Sequence, residues 1–245
     1  MKISIIIPIF NSHEAVARQV KYFNKMNLPD DTEFIFVDDG SNPPLNIADY
    51  DLKNLRIHAT NDKRPWTQGL ARNAGAKLAA GEYLFMTDID HILSKEAIDD
   101  VYKFNGSRMV FPRYLGVLLP DGELSEDLSV LKEYGADMNR LKTKRGFSVG
   151  VHGNTFAIKK SIFEELGGYN QKRCTYGHYA GYRRGEDCYF NAAWKKYALA
   201  RGLTKGYGSK IFVFPVARFN VNRDKNPKGL FHNLSYEETS QPMKE

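Results

Sequence analysis

Cysteine is scarce: the 245 residues hold only Cys174 and Cys188, too few for a disulfide scaffold, and their separation fits neither a CxxC pair nor a zinc finger. They read as reduced thiols, with a single disulfide between them left open. Long apolar runs are missing too, and none approaches the roughly 20 residues of a membrane span. The start, MKISIIIPIF, has one lysine, is interrupted by Pro8 and lacks a small-residue cleavage site, so it reads as a buried strand rather than a leader. The expectation is a soluble, cytoplasmic protein without stable membrane insertion. GxGxxG and GxxxxGK[ST] are absent, which argues against dinucleotide and P-loop sites. GxSxG and HExxH are absent as well. There is no internal repeat, low-complexity segment or convincing linker.

What is present is a globular composition, 42% hydrophobic and 26% charged, which excludes a disordered or collagen-like chain. A chain of this length buries roughly three quarters of its unfolded surface and needs no staple. The net charge of +6 is unevenly placed. Residues 1–100 carry 11 Lys+Arg against 15 Asp+Glu, and residues 101–245 carry 24 against 14. A basic second half suits an anionic ligand or acceptor, a membrane surface or nucleic acid, or is simply a solvated face.

The first hundred residues alternate strand and helix. Ile3–Ile9 is a continuous apolar run, as a buried parallel strand should be. Ser12 stands where it would cap a helix over about 13–25. Strands are expected at 33–37, 55–59 and 83–87. A helix opens near Thr67 and ends by Gly81, and another runs from Ser94 to about 104. This order implies a parallel sheet covered by helices on both faces, with ligands at the carboxyl ends of its strands. Those ends carry Asn11, Asp38–Ser41 and Asp88–Asp90. The second half is less regular: an extended stretch at 109–119, a strand at 154–158, helices over 160–166 and 185–200, and a last strand at 211–214. Trp194 reads as core.

Asp88-Ile89-Asp90-His91 follows the fourth strand. As residues i and i+2 of a strand, Asp88 and Asp90 would point to one face. Two such carboxylates repel unless a cation lies between them, and Mg²⁺ or Mn²⁺ suits carboxylate and phosphate oxygens. His91 is a ligand, a neighbour of the phosphates or a surface residue. Asp38 and Asp39 could accept from a uracil imide or ribose hydroxyls beside the tight turn at Gly40; a plain Asx turn is the alternative.

Four segments in order, SIIIPIFN (4–11), VDDGS (37–41), LARNAGAKLAAGEYLFMTDIDH (70–91) and RRGEDCYFNAAWKKY (183–197), resemble the inverting nucleotide-sugar glycosyltransferases of family 2. The resemblance implies the GT-A fold: α/β, a Rossmann-like, mostly parallel sheet flanked by helices. It implies one domain over 1–245, with a nucleotide-sugar-binding half (1–105) and an acceptor and catalytic-base half (106–245). It puts Pro8, Phe10, Asn11, Asp38, Asp39, Arg72, Asn73, Asp88, Ile89 and Asp90 around a UDP-sugar, Arg72 near a phosphate. It assigns Mn²⁺ or Mg²⁺ to Asp88 and Asp90, with His232 as the available late histidine, although its spacing departs from the family pattern. Glu186 and Asp187 match the late acid pair, and the second acid, Asp187, is preferred as general base.

GVHGNTFAIKKSIFEELGGYN (150–170) followed by GED (185–187) also resembles the galactosyl- and N-acetylgalactosaminyl-transferases of that fold, although Gly181-Tyr182-Arg183-Arg184 replaces the usual tryptophan-glycine approach. One base opposite the leaving group gives direct displacement with inversion. Arg183, Arg184, Lys225 and Lys228 are candidates to meet the diphosphate. Tyr169, Tyr176, Tyr179, Tyr182 and His178 form either an acceptor loop or core. The expected partners are a UDP-sugar and a hydroxyl-bearing acceptor such as a glycan, with an anionic or nucleic-acid acceptor left open. The alternatives are a nucleotidyltransferase, which would want a glycine-rich phosphate loop that SIIIPIFNSH lacks, and a non-catalytic carbohydrate- or nucleic-acid-binding module, which would need no base at the acid pair.

Overall fold

The computed structural model describes residues 2–62, 67–135, 148–171, 185–214, 216–217 and 230–231. Its elements are β1 (Ile3–Ile9), α1 (His13–Lys25), β2 (Thr32–Asp38), a 3-10 turn (Ile47–Asp49), β3 (Leu55–Ala59), α2 (Gln68–Leu78), β4 (Tyr83–Met86), β5 (His91–Ile92) and α3 (Lys95–Lys103). There follow β6 (Arg108–Leu115), β7 (Val117–Leu118), β8 (Leu124–Ser125), α4 (Leu128–Glu133), β9 (Ser148–Lys159), α5 (Lys160–Glu165), α6 (Glu186–Ala200), β10 (Lys205–Tyr207), β11 (Ile211–Val213), β12 (Val216–Ala217) and β13 (Leu230–Phe231).

The main sheet runs β3-β2-β1-β4-β9-β6-β11-β5, with β10 also paired to β6. β3, β2, β1 and β4 are parallel neighbours. β9 lies antiparallel between β4 and β6. The result is the expected mostly parallel sheet, with β9 reversed at its centre and β5 reversed at its edge.

Why the first strands read as unbroken apolar runs is plain from the two sides of the sheet. Ile3, Ile5, Ile7 and Ile9 meet Val16, Val20 and Phe23 of α1 and Ile98 and Val101 of α3. Ile6, Ile35 and Val37 meet Ala71 and Ala76 of α2, with Phe163 of α5 and Phe190 and Trp194 of α6 in the same cluster. Each fully buried aliphatic or aromatic side chain contributes about 1.5–3 kcal/mol. The segment 70–75 ends in Gly75 for a steric reason: a Cβ there would stand 2.5 Å from Ile6 Cγ2 and 3.1 Å from Val37 Cγ2. Glycine is what lets α2 lie this close to β1 and β2.

Helix capping follows expectation at one end and not at another. Ser94 Oγ accepts from Ala97 N at 3.1 Å and caps α3. Ser12 occupies the cap position of α1, but its hydroxyl donates to Phe10 O at 2.7 Å and makes no side-chain cap. Thr67 likewise starts α2 without capping it, because its hydroxyl goes to Asp39.

Glu33 on β2 is a buried carboxylate that ties three elements. It accepts from Ser4 Oγ on β1, from the amides of Ala80 and Gly81 after α2, and from Arg56 on β3. Burial pushes its carboxyl up, but these hydrogen bonds and the Arg56 charge more than offset that and leave it below the ordinary value. A depressed carboxyl contributes stability above its unfolded value, near ~4.3, and loses it as pH falls through the folded value. Unfolding free energies of the wild type and Glu33→Gln, from denaturant titration, are therefore expected to differ at pH 7 by about 1–3 kcal/mol. They should converge as the pH is lowered below ~4. A gap that stays constant with pH would sink this account.

Candidate functional site

The carboxyl ends of β1, β2 and β4 stand side by side, since Ile9 pairs with Asp38 and Ile6 with Met86. Pro8 is a buried strand residue paired with Val37. Asn11, at φ +46°, links the loops: its amide donates to Ser41 Oγ at 2.9 Å and its Oδ1 accepts from Asn42 N at 2.7 Å. Phe10 is half-buried beside Gly40. Asp38 is buried and both its oxygens accept from backbone, Ser41 N and Leu45 N, each at 2.8 Å. It therefore shapes the loop as an Asx turn does. Asp39 is also buried; its Oδ1 accepts from Thr67 at 2.6 Å and Thr60 at 3.2 Å, and burial raises its pKa.

The Asp88-Ile89-Asp90-His91 segment is not a strand continuation but a turn, closed by His91 N donating to Asp88 O at 3.0 Å. The strand alternation expected to bring Asp88 and Asp90 together does not apply there. Gln19, buried on α1, donates its amide nitrogen to Ile89 O at 3.2 Å and His91 O at 2.8 Å, while Phe214 N donates to Asp90 O at 2.7 Å. Every carbonyl from Asp88 to His91 is thus engaged. The side chain of Ile89 is part of the core.

Asp88 is the electrostatic centre. Arg72, fully buried on α2, donates through Nη2 to Asp88 Oδ1. Its charge meets a carboxylate rather than an open phosphate position. Asp88 Oδ2 lies 3.2 Å from His152 Nδ1 and 3.9 Å from His91 Nδ1. Burial alone would raise the Asp88 carboxyl; the Arg72 charge and the two histidines outweigh it and hold the group well below the usual carboxylate range. His91 is buried, not a surface residue: Nδ1 meets Thr155 Oγ1, and Nε2 lies 3.2 Å from Arg113 Nη1. A guanidinium only donates, so Nε2 is the accepting nitrogen, the proton is assigned to Nδ1, and burial keeps the ring's pKa low. Ligand atoms of Asp88, His91 and His152 all lie within 4.8 Å of one another, and Asp90 is not a member of that group.

His152 reaches this centre through an irregularity in β9. Between the pairs Val110–Phe156 and Pro112–Val151, β6 advances two residues while β9 advances five. Bulges re-aim side chains beside functional sites, and here each displaced residue has a task. His152 meets Asp88, Asn154 Oδ1 accepts from Tyr169 Oη at 3.1 Å, and Thr155 meets His91. Gly153 faces α6 so closely that a Cβ would stand 2.7 Å from Asp187 Oδ2.

Asp187 sits in the first turn of α6, half-buried, and its Oδ1 accepts from Cys188 N at 2.7 Å. Glu186 beside it is buried. Asn191, one turn on, donates to Asp187 O at 2.7 Å and Gly153 O at 3.2 Å, and accepts from Arg108 Nη2 at 2.6 Å. Asn73 pairs with the backbone of Tyr169 in both directions at 2.8 Å. It holds the Gly-Gly-Tyr end in place, and Tyr169 and Trp194 are core.

His232, Arg183, Arg184, Lys225, Lys228, Tyr176, Tyr179, Tyr182, His178 and Cys174 lie outside the described residues. His152, Arg113, Thr155 and Asn191 stand in no motif that the sequence marks as functional. The local signal for His152 is the pair of glycines around it, Gly150 and Gly153.

Residues 4–186 match the sequence profile of "Glycosyl transferase family 2". The poly(ribitol-phosphate) beta-N-acetylglucosaminyltransferase TarP of Staphylococcus aureus is 31% identical over 120 residues, covering 46% of this chain and 36% of that protein. The poly(ribitol-phosphate) beta-glucosyltransferase of Bacillus spizizenii is 29% identical over 160 residues, covering 61% of this chain and 24% of that protein. The chain thus spans only about a quarter to a third of these relatives. Among solved structures, residues 1–349 of S. aureus TarS superpose with a TM-score of 0.54 at 16% identity, over 87% of this chain and 60% of that one. GalNAc-T7 does so with a TM-score of 0.51 at 16% identity, over 89% and 44%. The GT-A architecture is shared with both. Among the described residues no helix is long and apolar enough to cross a membrane.

Proposed function

The chain belongs to glycosyl transferase family 2, and on that premise we propose that it moves a sugar from a UDP-sugar to an acceptor hydroxyl in one inverting displacement, with a divalent cation at Asp88 and Asp187 as base. The observation that carries this reading is the β9 bulge, where His152 Nδ1 lies 3.2 Å from Asp88 Oδ2 and the next residue, Gly153, leaves room for Asp187 Oδ2 where a Cβ would stand 2.7 Å from it. A cation-type cluster and a half-buried carboxylate thus lie against successive residues of one bulge.

The residues fit a divalent cation. Arg72 keeps Asp88 ionised and takes one oxygen, leaving Oδ2 toward two imidazoles, of which His152 is partly exposed. His91 can join as a ligand only by releasing its Nδ1 proton, so Asp88 and His152 are the primary ligands, and this mixed oxygen–nitrogen set favours Mn²⁺ over Mg²⁺, which prefers an all-oxygen shell. Bound there, the ion supplies positive charge against the diphosphate leaving group. Asp90 is kept as a donor-side residue by its place in the same turn. Asp39, Phe10 and Asn11 line the nucleotide side, while Asp38 shapes their loop and Pro8 and Ile89 support it from the core. Asp187 takes the acceptor proton. The two relatives named above are called poly(ribitol-phosphate) transferases. Together with the excess of basic residues beyond residue 100, this favours an acceptor of the phosphate-polymer kind.

Release of UDP from UDP-glucose, UDP-N-acetylglucosamine, UDP-galactose and UDP-N-acetylgalactosamine tests the reading. One donor should be turned over faster than the rest, more with Mn²⁺ than with Mg²⁺, and not at all with EDTA. Undiminished release in EDTA would remove the cation from the reading. No release from any donor would remove the UDP-sugar.

A further inference from the structure

A buried cation stands behind the start of α6. Arg108, at the first position of β6, is 2% exposed. Its guanidinium lies 4.1 Å from the ring centroid of Phe156, with Phe190 at 5.6 Å and Trp194 at 5.5 Å. Its Nη2 donates to Asn191 Oδ1, and its Nε has no hydrogen-bond partner among the described residues. A buried charge held by aromatic faces and one neutral acceptor does little for stability that an apolar side chain could not do as well. Its effect on geometry is clearer. Asn191 can aim its nitrogen at both Asp187 O and Gly153 O only while its oxygen is fixed, and Arg108, a pure donor, fixes which end of the amide is which.

We infer that Arg108 and Asn191 are positioning residues that set the stance of Asp187 against the β9 bulge. Asn191 is the cross-link between the helix that carries the acid and the strand that carries His152. Arg108 sets the orientation of that cross-link from behind. The inference rests on Asp187 being the base. A displacement of about 1 Å in such a group costs up to ~10²-fold in rate.

The test uses UDP release from the fastest-turned-over of the four UDP-sugars, with calorimetric UDP binding and thermal melting alongside. Arg108→Met keeps the apolar stem, so its melting temperature should be equal to or above that of the wild type. Its kcat is expected to fall about 10–100-fold, with UDP affinity within about twofold. Asn191→Ala should behave alike. In the Asp187→Asn background neither change should slow the enzyme further, because groups that act as one unit are not additive. If Arg108→Met is well folded and fully active, or if its loss multiplies with that of Asp187→Asn, the inference falls. If Asp187→Asn itself is fully active, it is the base assignment that fails. Should Asn191→Ala not fold, Arg108→Met alone decides.

Discussion

Replacing Asp187 by asparagine is expected to lower sugar transfer by roughly 10²–10⁴-fold, the usual scale of a general-base contribution, while UDP binds as before. The side chain keeps its shape and its hydrogen bond to Cys188 N, so the loss isolates the proton acceptor. Asp187 contacts the bulge through Gly153, not the Asp88 cluster, so donor affinity gives an internal control. If Glu186→Gln is the crippled variant and Asp187→Asn is active, the two acids exchange roles. Glu186 is the more buried of the pair, which makes it the less accessible to an acceptor.

The second large effect is expected at Arg72. It is fully buried, and its partner Asp88 is partly buried, with 17% of its side chain exposed. Arg72→Met leaves a largely buried carboxylate without its guanidinium partner, at a cost of up to about 3–5 kcal/mol. For a chain of this size that lowers the melting temperature by on the order of 10 °C. Without Arg72, burial is opposed only by the histidines, the Asp88 carboxyl shifts upward, and Mn²⁺-dependent UDP binding should be lost at neutral pH. Adding Asp88→Asn should recover part of the stability but none of the UDP binding, because the stranded charge is gone and so is the ligand. A single Arg72→Met that melts like the wild type and binds UDP with Mn²⁺ would overturn this view of the pair.

Much of the scaffold announces itself in the amino-acid order. The α1 face is periodic enough to place its ends at 13 and 25, and β1 is a run that only a strand covered on both faces can use. The reversal of β9 between β4 and β6 is not readable in that way, because strand direction is set by long-range pairing and leaves no local pattern. The site divides along the same line. Asp88 and Asp187 stand in motifs and are visible. The convergence expected of Asp88 and Asp90 assumes an extended backbone, and the chain instead turns at that point. Arg72 and Asn73 look like ligand-binding residues by type, yet Arg72 neutralises Asp88 and Asn73 clamps Tyr169. His152 enters only because the bulge displaces it, and displacement depends on a pairing that local sequence does not encode.

The fully engaged Asp88–His91 turn has an entropic consequence. A loop that orders only when its ligand arrives gives up about 1–2 kcal/mol of backbone freedom per residue at that moment. Here Gln19 and Phe214 have already removed that freedom during folding, by holding the carbonyls of Ile89, Asp90 and His91. A ligand held at the turn would draw on little further loss of motion, and its affinity would reflect the contacts made rather than the disorder overcome.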